Sequence, residues 1–171
     1  MRNIEIKAKV RDLTKLMDKV RSLEPQKCEI IKQEDTFFNT SNGRLKLRKF
    51  ENGTGELIFY NRPDTEGPKM CSYEKSDVST ENFNSLHSVL ERSLGAKTTV
   101  KKTRQLFIVD QTRVHVDSVD KLGNFMELEV VLNDNQTPED GEQIAFNLMT
   151  KLGVEKEDLI SGAYADLLNK I

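Results

Sequence analysis

Polar and apolar residues alternate strictly in the first segment of the chain, NIEIKAK at residues 3–9. Ile4 and Ile6 occupy one set of alternate positions, and Glu5 and Lys7 occupy the other. Because successive side chains of a β-strand point to opposite faces of the sheet, this segment is predicted to be a strand with one apolar and one charged surface. For a single strand, a charged surface that simply faces water is the plainest interpretation.

Seven further segments show strand patterns bounded by turn-forming residues such as Ser41-Asn42-Gly43 and Pro63-Asp64. They are residues 28–40, 44–50, 56–62, 69–78, 99–110, 112–119 and 124–132. Together with the first segment they make eight predicted strands. The short turns between several of them favour antiparallel pairing.

Four segments have the spacing of amphipathic helices. The first three are predicted to begin after the N-cap residues Asp12, Ser79 and Thr137. Pro25 closes the first segment, and Gly95 and Gly153 end the other two. A last helix is predicted from Glu157 to the end of the chain, interrupted or restarted near Ser161-Gly162.

Charged residues share a face on several predicted strands, and an apolar row lies behind them. These rows are Glu5, Lys7 and Lys9; Arg44, Lys46 and Arg48; Lys102 and Arg104; His115 and Asp117; and Glu127 and Glu129. Leu106 and Ile108 continue the positions of Arg104, which predicts a bulge or a change of face there. If the helices cover the apolar face, the charged rows turn to water or toward one another across a closed sheet. We therefore predict an α+β fold, an eight-stranded antiparallel β-barrel with helices packed on the outside.

Composition limits the classes of protein that fit. The 171 residues show no internal repeat or low-complexity linker, so a single domain over residues 1–171 is expected. A net charge of -2 does not fit a protein that coats nucleic acid. No signal-peptide or membrane-spanning run is present, which predicts a cytoplasmic protein without a membrane partner. Cys28 and Cys71 lack a metal-ligand spacing and are expected to be reduced thiols.

A barrel interior with charges of both signs indicates a particular chemistry. Lys and Arg side chains suit the oxygens of a polyphosphate. Carboxylates beside them would oppose anion binding unless they hold Mg²⁺ or Mn²⁺, which bridge to phosphate and neutralise its charge.

The ordered set of motifs resembles the CYTH-domain proteins, a group of triphosphate tunnel metalloenzymes that includes class IV adenylyl cyclases, thiamine triphosphatases and tripolyphosphatases. Its Glu-x-Glu-x-Lys signature falls on Asn3, Glu5 and Lys7, and its basic strand on the LKLR at residues 45–48. ELIFYNRPD with Arg62, and KKTR with Lys102 and Arg104, are similar to later family segments. The VHVDSVDKLGNFMELEV at residues 114–130 is the most specific match, and SGAYADLL resembles the family's closing helix.

The resemblance implies a role for each matching residue. Triphosphate oxygens would be bound by basic residues, namely Lys7, Lys46, Arg48, Arg62, Lys102 and Arg104, with Lys9, Lys69 and Lys75 as additions. Metal ligands, or groups that orient water, would be Glu5, Asp117, Glu127 and Glu129. Catalysis would then depend on Glu5, Lys7, Glu127 and Glu129. Asn3 replaces the first acid of the signature, so one expected carboxylate ligand is missing.

The expected function is metal-dependent hydrolysis of a small-molecule triphosphate, inorganic tripolyphosphate or thiamine triphosphate. A class IV adenylyl cyclase that makes cyclic AMP and pyrophosphate from ATP is the alternative on the same scaffold. A triphosphate-binding module with little catalysis is a further alternative, motivated by Asn3. The low aromatic content, 6% with no Trp, favours substrates recognised through phosphate. The oligomeric state is left open by the sequence.

Overall fold

Eight antiparallel strands close into a barrel in the computed structural model, which describes residues 1–171. The strands are β1 Arg2–Lys9, β2 Lys27–Phe38, β3 Arg44–Phe50, β4 Gly55–Asn61, β5 Lys69–Val78, β6 Ala96–Val109, β7 Thr112–Val119 and β8 Gly123–Val131. Their order around the barrel is β1-β5-β4-β3-β2-β6-β7-β8. The predicted barrel fold is therefore confirmed.

Helices begin where side-chain caps satisfy the first free backbone N–H groups. The helices are α1 Leu13–Ser22, α2 Thr80–Leu94, α3 Pro138–Leu152, a 3-10 turn at Lys156–Asp158, and α4 Tyr164–Leu168. Asp12 and Ser79 accept hydrogen bonds at the starts of α1 and α2. Thr137 and Asp140 form a reciprocal capping box at the start of α3.

The predicted apolar rows face outward and lie under the helices. Ile4, Ile6, Val114 and Leu128 are fully buried in one cluster that also contains Val20 of α1. Residues of α3, such as Ala145, complete this cluster. Another side of the barrel buries Leu47 together with Phe83 of α2. Helix packing thus uses the apolar face of the sheet and leaves the charged rows to the interior.

The prediction for the C-terminal segment is confirmed only in part. The helix predicted from Glu157 is interrupted before Ser161-Gly162 and restarts as the five-residue α4, but its first part is a 3-10 turn and an extended stretch. The stretch pairs with the end of β1, where Ala8 faces Leu159 and the Ile160 N–H donates to the Lys7 carbonyl. This tertiary pairing outweighs the local helical preference.

The prediction of a bulge or change of face near Leu106 is wrong. The pairing of β2 with β6 runs in unbroken register from Lys27 and Ile108 to Phe37 and Thr98, and the irregularity lies between Phe37 and Phe38. Leu106 therefore faces the interior, on the same side as Arg104. No helix of the structure combines the length and the apolar character needed to span a membrane.

Candidate functional site

The barrel interior contains a cavity of about 250 Å³ that is lined by side chains from all eight strands and from the α4 segment. Most of the predicted site residues line it. They are Glu5, Lys7, Lys46, Arg48, Arg62, Lys75, Arg104, Glu127 and Glu129, together with Asn3. The period of two along each strand explains this convergence, because alternate positions must share one face.

Four predicted residues lie outside this lining set. Lys9 is exposed at the end of β1. The Lys69 Nζ donates to the Thr65 carbonyl at 2.7 Å. Lys102 and Asp117 are buried and engaged in ion pairs within the wall.

A buried carboxylate, Asp35, organises the basic side of the cavity. Arg48 donates two hydrogen bonds to it, at 2.8 and 3.0 Å. The Nζ atoms of Lys46 and Lys102 lie 3.6 and 3.5 Å from the same carboxylate. Burial alone would raise the pKa of Asp35, but the three cations outweigh burial and hold that pKa well below its usual value.

This basic side carries more cations than Asp35 can neutralise. Burial and the neighbouring Arg48 lower the pKa of Lys46 to about 8. Burial and the neighbouring Arg104 lower the pKa of Lys102 to about 7. A bound anion would relieve this repulsion, so the electrostatics favour a ligand with several negative oxygens.

Arg104 connects the basic side to the acidic side. It donates to both oxygens of Asp117 at 2.8 Å each and to Glu127 at 3.3 Å. The Tyr164 hydroxyl donates to Asp117 at 2.9 Å, which anchors the α4 segment to the wall. Asp117 therefore has both oxygens occupied by partners within the chain.

Three carboxylates and one amide form the acidic side. Glu5 and Glu129 are direct neighbours across β1 and β8, and Glu127 faces Lys7 in the same register. Burial, reinforced by Glu129 and Glu127, raises the pKa of Glu5 to about 7, even though Arg62 lies 3.7 Å away. The Asn3 Nδ2 donates to Glu129 at 3.1 Å.

The donor chemistry of this acidic side fits a divalent cation. The buried Glu5 Oε2 and Asn3 Oδ1 have no hydrogen-bond partner. Oxygen atoms of this kind are the ligands that Mg²⁺ and Mn²⁺ prefer, and a cation would offset both the burial and the carboxylate repulsion that raise the Glu5 pKa. No three Asp, Glu, His or Cys side chains are already gathered into a metal-binding group, so these side chains would have to reorient around the ion.

His115, which the sequence assigned to the interior or the surface, lies inside next to Glu129, with its Nδ1 3.2 Å from the carboxylate. Burial and Arg104 lower the pKa of His115 to about 4. Its imidazole is therefore neutral at neutral pH and adds no cation for an anionic ligand.

The segment before α4 closes one end of the cavity. The Gly162 carbonyl accepts hydrogen bonds from Lys7 at 3.4 Å and from Arg62 at 3.0 Å. The ring of Tyr164 lies 4.1 Å from the Lys7 Nζ and packs against Phe125. Two predicted triphosphate-binding cations thus also hold the C-terminal segment in place.

Sequence reasoning missed several interior residues. Asp35 and Gln33 lie on β2, where polar residues occupy both faces, so no alternation distinguished them. Tyr164 belonged to the closing motif, but nothing in that motif indicated that its hydroxyl binds Asp117. Phe50 and Ile31 also line the cavity: Phe50 continues the alternate positions of Lys46 and Arg48 on β3, and Ile31 pairs with Arg104 across β2 and β6.

Comparisons with known proteins agree with this architecture. The profile of the CYTH domain matches residues 1–164. A protein of Methanocaldococcus jannaschii named "Putative adenylate cyclase" is 23% identical over 180 residues, covering 98% of each chain.

Solved structures show the same fold. The PH1012 protein from Pyrococcus horikoshii superposes with a TM-score of 0.83 at 24% identity, covering 96% of this chain and 98% of that one. A protein from Hippeastrum, named "Putative adenylyl cyclase" and said to reveal a dominant triphosphatase activity, has a TM-score of 0.66 at 14% identity, with 94% of this chain and 91% of that one covered.

Proposed function

Since this chain belongs to the CYTH domain family, we propose that it is a divalent-metal-dependent triphosphatase. It would act on a linear triphosphate held inside the barrel, with inorganic tripolyphosphate and thiamine triphosphate as the first candidates. The observation that carries the proposal is that seven Lys and Arg side chains line one cavity together with the carboxylates of its acidic side. These seven are Lys7, Lys46, Arg48, Arg62, Lys75, Arg104 and Arg113.

The cations would bind and orient the substrate. Arg48 and Arg104 have planar guanidinium groups that can each donate two hydrogen bonds to phosphate oxygens, whereas Lys7 and Lys46 act as compact charges. Holding the chain of phosphates in one direction would align the terminal phosphorus for in-line attack. Lys102 does not line the cavity and would contribute only indirectly, through its ion pair with Asp35.

The acidic side would position the attacking water and bind the metal. Glu5, Glu127 and Glu129 supply the carboxylates, and Asn3 supplies a carbonyl oxygen. Asp117, also a candidate ligand, would first have to release Arg104 and Tyr164. A divalent ion bound there would neutralise the charge that develops on the phosphoryl oxygens. Water would attack the terminal phosphorus as the bond to the bridging oxygen breaks. Orthophosphate would form with the water's oxygen, the diphosphate part of the substrate would leave with the bridging oxygen, and the water's proton would pass through a carboxylate to solvent.

Adenylyl cyclase activity is the second candidate, because the relative from Methanocaldococcus jannaschii carries that name. In this reaction the 3′-hydroxyl of ATP attacks the α-phosphorus and pyrophosphate leaves. The Hippeastrum protein combines the cyclase name with a dominant triphosphatase activity, which favours hydrolysis as the first reaction to test.

Product analysis tests the proposal. Purified protein with Mg²⁺ or Mn²⁺ is given tripolyphosphate, thiamine triphosphate and ATP in parallel. We expect orthophosphate release that is lost in Glu127→Gln and kept in Glu139→Gln, an exposed substitution on α3. Cyclic AMP with pyrophosphate would instead establish the cyclase. Tight binding of the triphosphates without turnover would establish a binding module.

A further inference from the structure

Unpartnered polar atoms concentrate around one side chain of the interior, Glu129. Seven buried side-chain nitrogen or oxygen atoms of the protein have no hydrogen-bond partner. Four of them belong to residues that contact Glu129 or pair with it in the sheet, namely Asn3 Oδ1, Glu5 Oε2, Arg113 Nε and His115 Nδ1. Because buried polar atoms normally have partners, this concentration indicates a ligand-binding site around Glu129.

His115 brings a nitrogen donor to this group. It is 3% exposed and lines the cavity from β7, where it pairs with Glu127 of β8. Its Nδ1 lies 3.2 Å from Glu129 Oε1, but the two groups are not oriented as a hydrogen bond. A neutral imidazole has one N–H and one nitrogen lone pair, and the lone pair can bind a metal ion.

The separation of these two atoms fits two ligands of the same ion. Ligands at right angles on a divalent ion, each bonded at about 2.1 Å, lie about 3 Å apart. The other oxygen of Glu129 accepts a hydrogen bond from Asn3 Nδ2 at 3.1 Å, which leaves the amide oxygen of Asn3 unpartnered. Glu129 therefore lies between an imidazole nitrogen and an amide oxygen that could each bind an ion.

The donor set determines which ions the site suits. Asn3 replaces a charged carboxylate oxygen by a neutral amide oxygen, and His115 adds a nitrogen. Mg²⁺ takes oxygen ligands and keeps several waters, whereas imidazole nitrogen is a ligand that transition-metal ions accept readily. A group with one imidazole beside carboxylate oxygens therefore favours a transition-metal ion over Mg²⁺.

We propose that His115 is a direct ligand of the divalent ion, together with Glu5 and Glu129, and that it makes the site prefer a first-row transition-metal ion such as Co²⁺ or Mn²⁺ over Mg²⁺. The proposal rests on the divalent-ion site of the proposed function. Asn3 contributes its amide oxygen. A His115 that only hydrogen-bonded to Glu129 would orient the carboxylate without placing a nitrogen on the ion, and this is the alternative that the experiments separate.

Pulsed electron paramagnetic resonance of the Mn²⁺-loaded protein tests the ligand directly. The protein is stripped with EDTA, loaded with substoichiometric Mn²⁺ and measured without any triphosphate. We expect a nitrogen coupling from a bound imidazole. Growth with ¹⁵N-histidine should convert this coupling to the ¹⁵N pattern, and this comparison needs no substitution in the protein.

Variants of the two histidines of the chain, His87 and His115, assign the coupling. His115→Phe keeps a ring but has no nitrogen, and it should lose the coupling. His87→Gln should keep the coupling, because His87 lies on α2 outside the barrel, beside Glu91. The proposal is overturned by a wild type without nitrogen coupling, or by a coupling that disappears in His87→Gln. Both results are obtained even if His115→Phe does not fold.

Calorimetry with two ions tests the metal preference. We expect the wild type to bind Co²⁺ more tightly than Mg²⁺. His115→Phe should weaken Co²⁺ binding by at least about tenfold and change Mg²⁺ binding by less than about twofold, since Mg²⁺ readily keeps a water in place of the nitrogen. His87→Gln should change neither affinity. Equal losses for the two ions in a folded His115→Phe would show that His115 supports the site without binding the ion, which overturns the proposal.

The outcome is separable from the proposed function, because neither measurement uses a triphosphate. A His115 nitrogen coupling in a protein that hydrolyses no triphosphate supports the ligand and refutes the triphosphatase. Hydrolysis that depends on a divalent ion, in a protein without nitrogen coupling, refutes the ligand and leaves the triphosphatase intact. A protein that binds no divalent ion, with or without triphosphate, refutes both.

Discussion

Arg104 and Asp117 form a two-pronged ion pair inside the barrel, with the Nε and Nη2 atoms each 2.8 Å from a carboxylate oxygen. The pair joins β6 to β7, where the two residues are direct neighbours. Burial alone would raise the pKa of Asp117, but the charge and hydrogen bonds of Arg104 outweigh burial and hold that pKa below its usual value. The carboxylate is thus ionised and already neutralised without a metal.

Asp117→Asn should therefore act mainly on stability. Removing one partner of a buried ion pair leaves the other charge uncompensated, so we expect the free energy of unfolding to fall by about 3 kcal/mol. Urea unfolding in EDTA measures this loss, and Asp120→Asn, at an exposed position in the turn after β7, serves as a control. An unchanged stability together with a weakened metal affinity would instead make Asp117 a metal ligand.

Asn3→Glu restores the acid that the family signature carries. Asn3 is 1% exposed and its Nδ2 contacts Glu129, so the new carboxylate would lie beside an existing one. Without metal the two charges repel, and we expect a lower melting temperature in EDTA. With Mg²⁺ or Mn²⁺ we expect a larger thermal stabilisation than in the wild type, together with a sharp rise in turnover.

Thermal melts with and without the metal decide this prediction. Asn3→Gln, which enlarges the side chain but keeps the amide, is the matched control and should show no gain from metal. An already high turnover in the wild type that Asn3→Glu leaves unchanged would contradict the idea that a missing ligand limits the enzyme.

Triphosphate affinity should fall as the pH rises through about 8. Burial lowers the pKa of Lys46 to about 8, so Lys46 carries a positive charge below pH 8 and loses that charge above it. An anion binds the charged form, and loss of one proton weakens binding by up to about tenfold per pH unit. Calorimetric titration from pH 7 to 9 measures the slope.

Two substitutions of lysine by arginine test whether Lys46 is the titrating group. Lys46→Arg keeps its charge across the range and should flatten the slope. Lys69→Arg should leave the slope in place: burial also lowers the Lys69 pKa to about 8, but its Nζ donates to the Thr65 carbonyl outside the cavity lining. Identical slopes in the wild type and Lys46→Arg would rule out Lys46 as the titrating group.

The alternation of polar and apolar residues along a strand decides which parts of the fold and site could be predicted from the sequence. On β3 the basic residues Lys46 and Arg48 alternate with Leu45 and Leu47, and this contrast correctly placed the basic pair inside. On β2 the contrast disappears, because Glu34 on the outer face is as polar as Asp35 on the inner face. The partner of Arg48 therefore became visible only through the strand register.

Long-range contacts account for the rest. The residues before α4 have a helical pattern, but the Ile160 N–H pairs with the Lys7 carbonyl, 153 positions earlier in the chain, and the segment stays extended. Leu106 was expected near a bulge because an apolar residue followed a charged row. The register is regular there, and Leu106 lines the cavity on the same side as Arg104.

Substitutions of Lys7 and Lys9 test whether substrate binding is confined to the residues that line the cavity. Both belong to the charged row of β1, but Lys7 is buried in the cavity wall with its Nζ near Tyr164 and Gly162, whereas Lys9 is exposed beyond the cavity. A charge-assisted hydrogen bond to a phosphate contributes about 1.5–3 kcal/mol, so Lys7→Met should weaken tripolyphosphate binding by about 10- to 100-fold. Lys9→Met should change it by less than about twofold, since an exposed ammonium is screened by solvent. Calorimetric dissociation constants measure both effects, and circular dichroism melts confirm that the variants are folded. Equal losses in the two variants would show that the triphosphate extends past the α4 end of the barrel to reach Lys9.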